Sequence, residues 1–267
     1  MNDAFQPSIL QRNLNRIYDQ GFASDFHEAF FQHSGFSNFG FWSEGITSAQ
    51  AAAENLVLEL LKPLEPLQGP VLDVACGQGG TTRTLANLIP PDQVHAINIS
   101  QQQLKNAQKN APECHFHLMS ATQLEFDANS LAGILCVEAV FHFETRRRFL
   151  KEAWRVLKPG GWLVLSDVQF RFPPPERIIP PANHFRNLAQ YRQIYLDAGF
   201  ESPTLRSVMK PTWKSCRDAL RKYALKRLLQ SPSPQSLKEW SLNEVRCKLY
   251  DAVMQDYLLV SVYKPLA

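Results

Sequence analysis

The 267-residue sequence predicts an α/β fold with a doubly wound, mostly parallel sheet. Two observations lead to this prediction. Short apolar runs alternate five times with helical segments between residues 70 and 170, and the first run ends in a glycine-rich turn. Strands that alternate with helices form a parallel sheet, which carries helices on both faces. The chain is long enough to build one large domain of this kind.

Helical segments precede the predicted core. Apolar residues at helical spacing predict a helix over residues 8–33. A second helix is predicted over 48–64, where Ser48 can cap the first turn and Pro63 limits the end. We expect residues 1–47 to form an N-terminal helical cover.

The core is predicted over residues 48–170, where strands and helices follow one another with short connections. The first strand ends near residue 75 and leads through the glycine-rich turn into a helix. The segments that follow are a strand at 93–99, a helix at 101–110, a strand at 113–119, a strand within 130–139, a helix at 144–157, a turn at 158–161 and a strand at 162–168.

Residues 171–255 depart from this alternation and are predicted to form a lid of helices that also contains a sixth strand. The proline-rich stretch at 170–181 excludes regular structure. The remaining segments are a helix at 183–200, a strand at 204–210 and helices over 213–255 with a break near 231–236. Residues 256–267 are predicted to supply the final strand of the core sheet.

Composition excludes several classes of protein. The net charge of +3 is too small for affinity to nucleic acid that comes from a large basic surface. The N-terminus lacks the layout of a signal peptide, and no apolar run approaches the length of about 20 residues that spans a bilayer. Five scattered cysteines without a CxxC pair indicate reduced thiols and no metal site. We therefore expect a cytoplasmic protein without a membrane span.

The turn after the first strand indicates which kind of ligand the protein binds. Gly77, Gly79 and Gly80 let a backbone approach a ligand closely at the start of a helix. A glycine-rich turn also fits a dinucleotide site, as in a nicotinamide-dependent oxidoreductase. Asp73 at the strand end opposes that alternative, because its carboxylate repels a pyrophosphate and attracts a cationic amino acid group.

The segment VLDVACGQGG resembles motif I of class I S-adenosylmethionine-dependent methyltransferases, with Ala75 in place of the first glycine. AINIS at 96–100 resembles their next motif, and KPGG at 158–161 resembles the turn before their fifth strand. NFGFW at 38–42 and the region around His142 are similar to natural-product and sugar O-methyltransferases. They are also similar to tocopherol-type, cyclopropane-synthase-like and isoprenoid C-methyltransferases. The resemblance implies a Rossmann-like seven-stranded sheet, S-adenosylmethionine as cofactor and a small-molecule acceptor.

The resemblance also implies a set of cofactor-binding residues. Asp73 would hold the methionine ammonium group indirectly or through ordered water. Asn98 replaces the acid that usually binds the ribose, and Ser120 replaces the acid that usually binds the adenine amino group. Trp42 fits either the cofactor site or simple core packing. The implied set is Ser37, Asn38, Trp42, Asp73, Ala75, Gly77, Gly79, Asn98, Ile99, Gln103, Ser120, Ala121 and Thr122.

Three titratable residues near predicted strand ends are candidates for catalysis. His142 matches a histidine proposed as the base in the resembling O-methyltransferases, and Asp167 matches an acid after their fifth strand. We expect Asp167 to orient His142, and Glu138 to face the sulfonium side. A role for His142 without proton transfer, at the start of a helix, remains the alternative.

The lid is expected to supply the acceptor pocket. Aromatic side chains that could line an apolar pocket are Phe170, Phe172, Phe185, Tyr191 and Trp213. Basic residues on one lid helix fit either a solvated face or recognition of an acidic acceptor. These basic residues are Lys214, Arg217, Arg221, Lys222, Lys226 and Arg227. O-methylation is the leading hypothesis, with C- or N-methylation and a non-catalytic binding protein as alternatives.

Overall fold

A single seven-stranded sheet forms the centre of the computed structural model, which describes residues 5–64, 66–172 and 179–266. The strands are β1 (Val71–Val74), β2 (Val94–Asn98), β3 (His115–Leu118), β4 (Leu131–Val137), β5 (Leu157–Phe170), β6 (Glu201–Ser207) and β7 (Met254–Tyr263). Their order across the sheet is β3-β2-β1-β4-β5-β7-β6.

Strand directions confirm the predicted mostly parallel, doubly wound sheet. The first five strands pair in parallel, while β7 runs antiparallel between β5 and β6. The chain winds outward in one direction from β1 to β3 and in the other from β4 onward, so the strand order reverses between β1 and β4. A crevice at the carboxyl ends of the strands, beside this reversal, is where such sheets bind ligands.

Helices cover both faces of the sheet. They are α1 (Ile9–Phe22), α2 (Asp25–Phe30), α3 (Ala49–Leu61), α4 (Gly80–Ala86), α5 (Gln101–Asn110), α6 (Arg146–Val156), α7 (Leu188–Asp197), α8 (Ser215–Gln230) and α9 (Pro234–Val253). Ser48 caps α3 as predicted, by accepting a hydrogen bond from the Ala51 N–H. Within the described ranges, no helix is both long and apolar enough to cross a membrane.

Three segments differ from the sequence prediction. The single helix expected over 8–33 is two helices, because the Ser24 side chain accepts from the His27 N–H and starts a new helix. The turn expected at 158–161 lies within the bounds of β5, where the register against β4 shifts. The helix expected from 183 begins at Leu188, after its cap Asn187. Of the proline-rich stretch, residues 173–178 lie outside the described residues.

Alternation along β5 sends neighbouring side chains into different cores. Val164 and Val168 pack into the core that also contains α3 and the lid residue Trp213. Leu163 and Leu165 pack into the opposite core, beneath α6 and α7. This alternation decides which side chains at the end of β5 can reach the crevice.

Candidate active site

A cavity of about 1060 Å³ opens at the carboxyl ends of β1, β2 and β4. Small-molecule pockets usually have volumes of roughly 300–1,000 Å³, so this cavity has room for a cofactor and an acceptor together. Most of the sequence-predicted site residues line it: Ser37, Asn38, Ala75, Gly77, Asn98, Ile99, Gln103, Ser120, Ala121, Thr122, Glu138 and His142. Trp42, Asp73, Gly79 and Asp167 are not among the lining residues.

The loop between β1 and α4 has the left-handed backbone that its glycines favour. Gly77 has φ +55°, and a Cβ atom there would meet only the Phe22 ring, at 3.7 Å. The backbone of Gly77 is therefore open to a ligand in the cavity. Ala75 adopts φ +60° despite its side chain, at the position where the resembling motif has glycine.

Gly79 serves helix packing instead of the cavity. Its φ is +88°, and a Cβ atom on Gly79 would lie 2.8 Å from the Cα of Ala107 in α5. Glycine is therefore required for the close approach of the two helices. The expectation that Gly79 itself contacts the cofactor is not supported, because the residue faces α5.

Asp73 lies beneath the glycine loop and is almost fully buried. Its Oδ2 accepts hydrogen bonds from Thr81 Oγ1 at 2.6 Å and Thr82 Oγ1 at 2.7 Å. Burial raises the pKa of Asp73 to about 6, against the opposing effect of the two hydroxyl donors. Asp73 thus fixes the start of α4 under the loop.

Side-chain amides form the polar edge of the cavity at the end of β2. Asn98 Nδ2 donates to Gln103 Oε1 at 2.9 Å, and Gln103 Nε2 donates to Asp19 Oδ1 at 2.7 Å. Ser100 Oγ also donates to Asp19. The carboxylate that is absent at position 98 is thus supplied nearby by α1, which the sequence reasoning did not identify.

Helix α1 lies along this edge through polar residues on one face. Gln11 Nε2 donates to Ser120 Oγ at 3.2 Å, and Asn15 Nδ2 donates to the Ile99 carbonyl at 2.8 Å. Together with Asp19 these residues recur every four positions, which is the spacing of one helix face. That polar periodicity in α1 was the sequence signal available for these contacts.

His142 lines the cavity at the end of the 3₁₀ turn after β4, and is mostly buried. Its Nε2 lies 2.6 Å from the hydroxyl oxygen of Tyr18 in α1, and the two rings meet edge to face. Burial is the main cause that raises the pKa of Tyr18, and Tyr250 and Glu138 act in the same direction, so the hydroxyl stays protonated. Tyr18 and His142 form a hydrogen-bonded pair at the cavity wall.

Asp167 does not orient His142 as expected. It is fully buried on the opposite side of β5, where it accepts from Arg146 Nε at 2.7 Å and Nη2 at 2.8 Å. Tyr191 also donates its hydroxyl to Asp167. The physical reason is strand alternation: Ser166, one residue earlier, points to the other face of the sheet, where its hydroxyl accepts from the N–H of the cavity residue Glu138.

Glu138 ends β4 with φ +51° and lines the cavity. Its Oε1 accepts from the Phe39 N–H at 2.7 Å and from the Tyr257 hydroxyl at 2.6 Å. Burial raises the pKa of Glu138 to about 7, while these two donors act in the opposite direction. A bound cation beside Glu138 would favour the ionised carboxylate.

The loop before α3 contributes Ser37 and Asn38 to the cavity but not Trp42. The Trp42 indole N–H donates to the Phe39 carbonyl, and its backbone N–H donates to the Pro211 carbonyl. The geometry therefore supports the packing alternative for Trp42, since its ring packs against the core and bonds within its own loop, while its backbone bonds the loop to the lid.

Comparisons with known proteins agree with this arrangement. Residues 72–165, from β1 to β5, match the family model described as "Methyltransferase domain". The match indicates a methyltransferase domain in this part of the chain. The chain is 31% identical over 170 residues to O-methyltransferase cnsE of Penicillium expansum. The aligned region covers 60% of this chain and 58% of that protein. It is 25% identical over 280 residues to erythromycin 3''-O-methyltransferase of Saccharopolyspora erythraea, covering 94% and 90%.

A solved structure described as the [4+2]-cyclase SpnF shares the fold over the whole chain. Its TM-score is 0.74 at 20% identity, with 98% of this chain and 97% of that chain covered. At this identity the likeness shows the fold alone. The matched segment spans little more than half of the Penicillium relative.

S-adenosylmethionine is the cofactor of class I methyltransferases, as expected from the sequence. The residues present fit it on one observation: Gly77, with its open backbone, lines the same cavity as the amides of Asn98 and Gln103 and the carboxylate of Glu138. Amides can bind the ribose hydroxyls, and a carboxylate suits the cationic end of the molecule. The methyltransferase match leaves the dinucleotide-binding alternative without support.

The acceptor end of the cavity is mainly aromatic. Phe170 and Trp213 line it as expected. Phe185 and Tyr191 do not, because they stack on each other beside Arg146 in the core under α7, and Phe172 is mostly exposed. Further Phe and Tyr residues that line the cavity, which the sequence reasoning missed, are Tyr18, Phe22, Phe26, Phe30, Phe31, Phe36, Phe39, Phe141, Phe143 and Tyr250.

The basic residues predicted on α8 lie outside the cavity lining. Three of them form ion pairs with acids of α9: Arg217 with Asp251, Arg221 with Glu244 and Arg227 with Glu239, at 3.1–3.3 Å. Recognition of an acidic acceptor by this helix is therefore not supported. Two other basic residues, Lys238 and Arg246 of α9, line the cavity instead.

Proposed function

We propose that this protein transfers a methyl group from S-adenosylmethionine to a hydroxyl group of a largely apolar small molecule. The observation that carries the proposal is the 2.6 Å contact between the Tyr18 hydroxyl and His142 Nε2 at the wall of the cavity. Methylation of a hydroxyl requires a group that accepts its proton, and a neutral imidazole suits that role near neutral pH. When bound, the cofactor supplies an electrophilic methyl group.

The pair offers a route for the acceptor's proton. A hydroxyl at the cavity wall can donate to the Tyr18 oxygen while the Tyr18 proton moves to His142 Nε2. The two transfers must be coupled, because burial raises the pKa of Tyr18 and disfavours a free tyrosinate. His142 is the final base, and Tyr18 holds the acceptor oxygen in line with it.

Other wall residues support binding of the acceptor and the cofactor. Phe170 at the end of β5 and the lid residues Trp213 and Tyr250 suit an apolar acceptor that excludes water from the site. Glu138 adds a carboxylate for the cationic end of the cofactor. The two relatives, both named as O-methyltransferases, agree with a hydroxyl acceptor.

The experiment is methyl transfer from labelled cofactor to a panel of hydroxylated polyketides, terpenoids and glycosides. With an active hydroxyl acceptor, His142→Ala should lower kcat by roughly 10²–10⁴-fold, and Tyr18→Phe should also lower it. Activity of the parent should fall at acidic pH as the imidazole is protonated. His33→Ala, at an exposed histidine outside the cavity lining, is the matched control.

Different results separate the competing functions. A His142→Ala enzyme with the parent's kcat and pH profile on a hydroxyl acceptor would remove the proton route. Transfer only to carbon or amine acceptors would favour C- or N-methylation, which depend more on proximity than on a base. Calorimetry with S-adenosylmethionine and with NAD tests the remaining classes, and cofactor binding without any transfer would indicate a binding protein.

A further inference from the structure

Helix α9 exposes a row of large apolar side chains. Leu237, Leu242, Val245 and Leu249 are each between 52 and 65% exposed. The last three are spaced by three and four residues and therefore share one helix face. Single exposed leucines are ordinary, whereas several on one face mark an interaction surface.

Basic side chains accompany this row. Residues 214–253, which contain α8 and α9, include nine Lys or Arg and four Asp or Glu, so they carry a net charge of +5 in a chain whose total is +3. Each of the four acids pairs with an arginine of α8. Among the described residues, no ion pair is formed by Lys238, Arg246 or Lys248 of α9.

The cavity opens beside the same row. Leu242, Lys238 and Arg246 line the cavity and are also exposed. On the other side of the cavity, Ile17 of α1 is likewise exposed and lines it. An apolar molecule could therefore pass between the aromatic interior and an apolar phase at this face without crossing bulk water.

We propose that the exposed face of α9 docks on an anionic phospholipid surface, from which the acceptor enters the cavity. An exposed helix face that carries Leu242, Val245 and Leu249 together with Lys238 and Arg246 is suited to an anionic bilayer surface, where basic groups meet the headgroups and apolar groups meet the acyl chains. The claim that an acceptor enters there rests on the proposed function. The docking itself rests only on the exposed side chains and the charge of the lid.

A lipid surface fits this face better than a second copy of the chain. A symmetric dimer through α9 would bring two lids of charge +5 together, with no acid of the lid left unpaired to offset the repulsion. An anionic surface instead complements the charge, and it also receives Val245 and Leu249.

The test is flotation of the full chain with vesicles, without cofactor or acceptor. We expect binding to vesicles of equal parts phosphatidylcholine and phosphatidylglycerol, weaker binding to phosphatidylcholine alone, and loss of binding near about 1 M salt. Val245→Ser with Leu249→Ser should lower the partition coefficient at least about tenfold. Neither residue lines the cavity.

Two further variants complete the design. Leu88→Ser with Leu196→Ser alters exposed leucines outside α8 and α9 and should leave vesicle binding unchanged. Lys222→Glu with Lys248→Glu keeps the apolar row and should lower binding to anionic vesicles at least about tenfold, so the proposal stays testable even if the serine variant fails to fold.

Three results would overturn the proposal. They are absence of binding to anionic vesicles, equal binding by the parent and the folded α9 variants, and a dimer in sedimentation that Val245→Ser with Leu249→Ser dissociates. Calorimetry with S-adenosylmethionine is run on the same samples. If vesicle binding fails while cofactor binding and methyl transfer are intact, only the docking is refuted. If vesicle binding succeeds while cofactor binding or methyl transfer fails, only the proposed function is refuted.

Discussion

Removal of the Asp167 carboxylate should unfold the protein more readily without acting on the chemistry directly. Asp167 and Arg146 are 0 and 3% exposed, and they form two hydrogen bonds of 2.7 and 2.8 Å. Asp167→Ala leaves the guanidinium buried without its counterion and deprives the Tyr191 hydroxyl of its acceptor. Breaking a buried ion pair from one side costs about 3–5 kcal/mol.

In a domain of this size about 1 kcal/mol lowers Tm by roughly 2–4 °C, so a decrease of roughly 6–20 °C is expected. Calorimetry and urea unfolding measure this change. Asp197→Ala is the matched control, because Asp197 pairs with Arg147 on the surface and its loss should leave Tm unchanged. Replacing both buried partners, as Arg146→Met with Asp167→Leu, should recover most of the lost stability.

The reasoning is refuted by a specific outcome. If Asp167→Ala keeps the parent's Tm and unfolding free energy but loses methyl transfer, then Asp167 acts in the site and its position in the opposite core is misinterpreted. A small loss of stability with full activity would instead show that the buried pair contributes less than its geometry implies.

Three other perturbations have definite expected results. Gly79→Ala should destabilise the fold by more than Gly45→Ala, because both glycines have positive φ but only a Cβ on Gly79 would lie 2.8 Å from Ala107. Urea unfolding compares the two variants, and equal losses of unfolding free energy would contradict the packing role of Gly79. Burial lowers the pKa of His95 to about 4, so its stabilising effect is present above about pH 6.5 and is lost as the pH falls towards 4. The Tm of His95→Asn should therefore fall less than the Tm of the parent between pH 6.5 and pH 4, and equal decreases in the two proteins would contradict this. Burial raises the pKa of Asp73 to about 6, so the stability that Asp73 contributes is present below about pH 3.9 and is lost as the pH rises. The unfolding free energy of Asp73→Asn relative to the parent should therefore increase by up to about 3 kcal/mol from pH 4 to pH 8. Urea titrations that show no increase would contradict this.

Local patterns in the sequence determined the order of the core elements and the position of the glycine loop. The apolar runs and helix caps act over a few residues, so Ser48 and the start of α3 could be identified directly. The glycine positions also followed, because left-handed backbone at Gly77 is a property of the turn itself. The cofactor class followed from the same motif.

Only the tertiary structure decided which polar side chains meet. Tyr18 reaches His142 across 124 residues of chain, and nothing local to either residue encodes that contact. Asp167 was assigned to the site from its position after a strand, whereas the pleat of β5 turned it toward Arg146 and turned Ser166 toward Glu138. A shift of one residue along a strand reverses the face, and which face receives the cofactor is set by helices packed from distant parts of the chain.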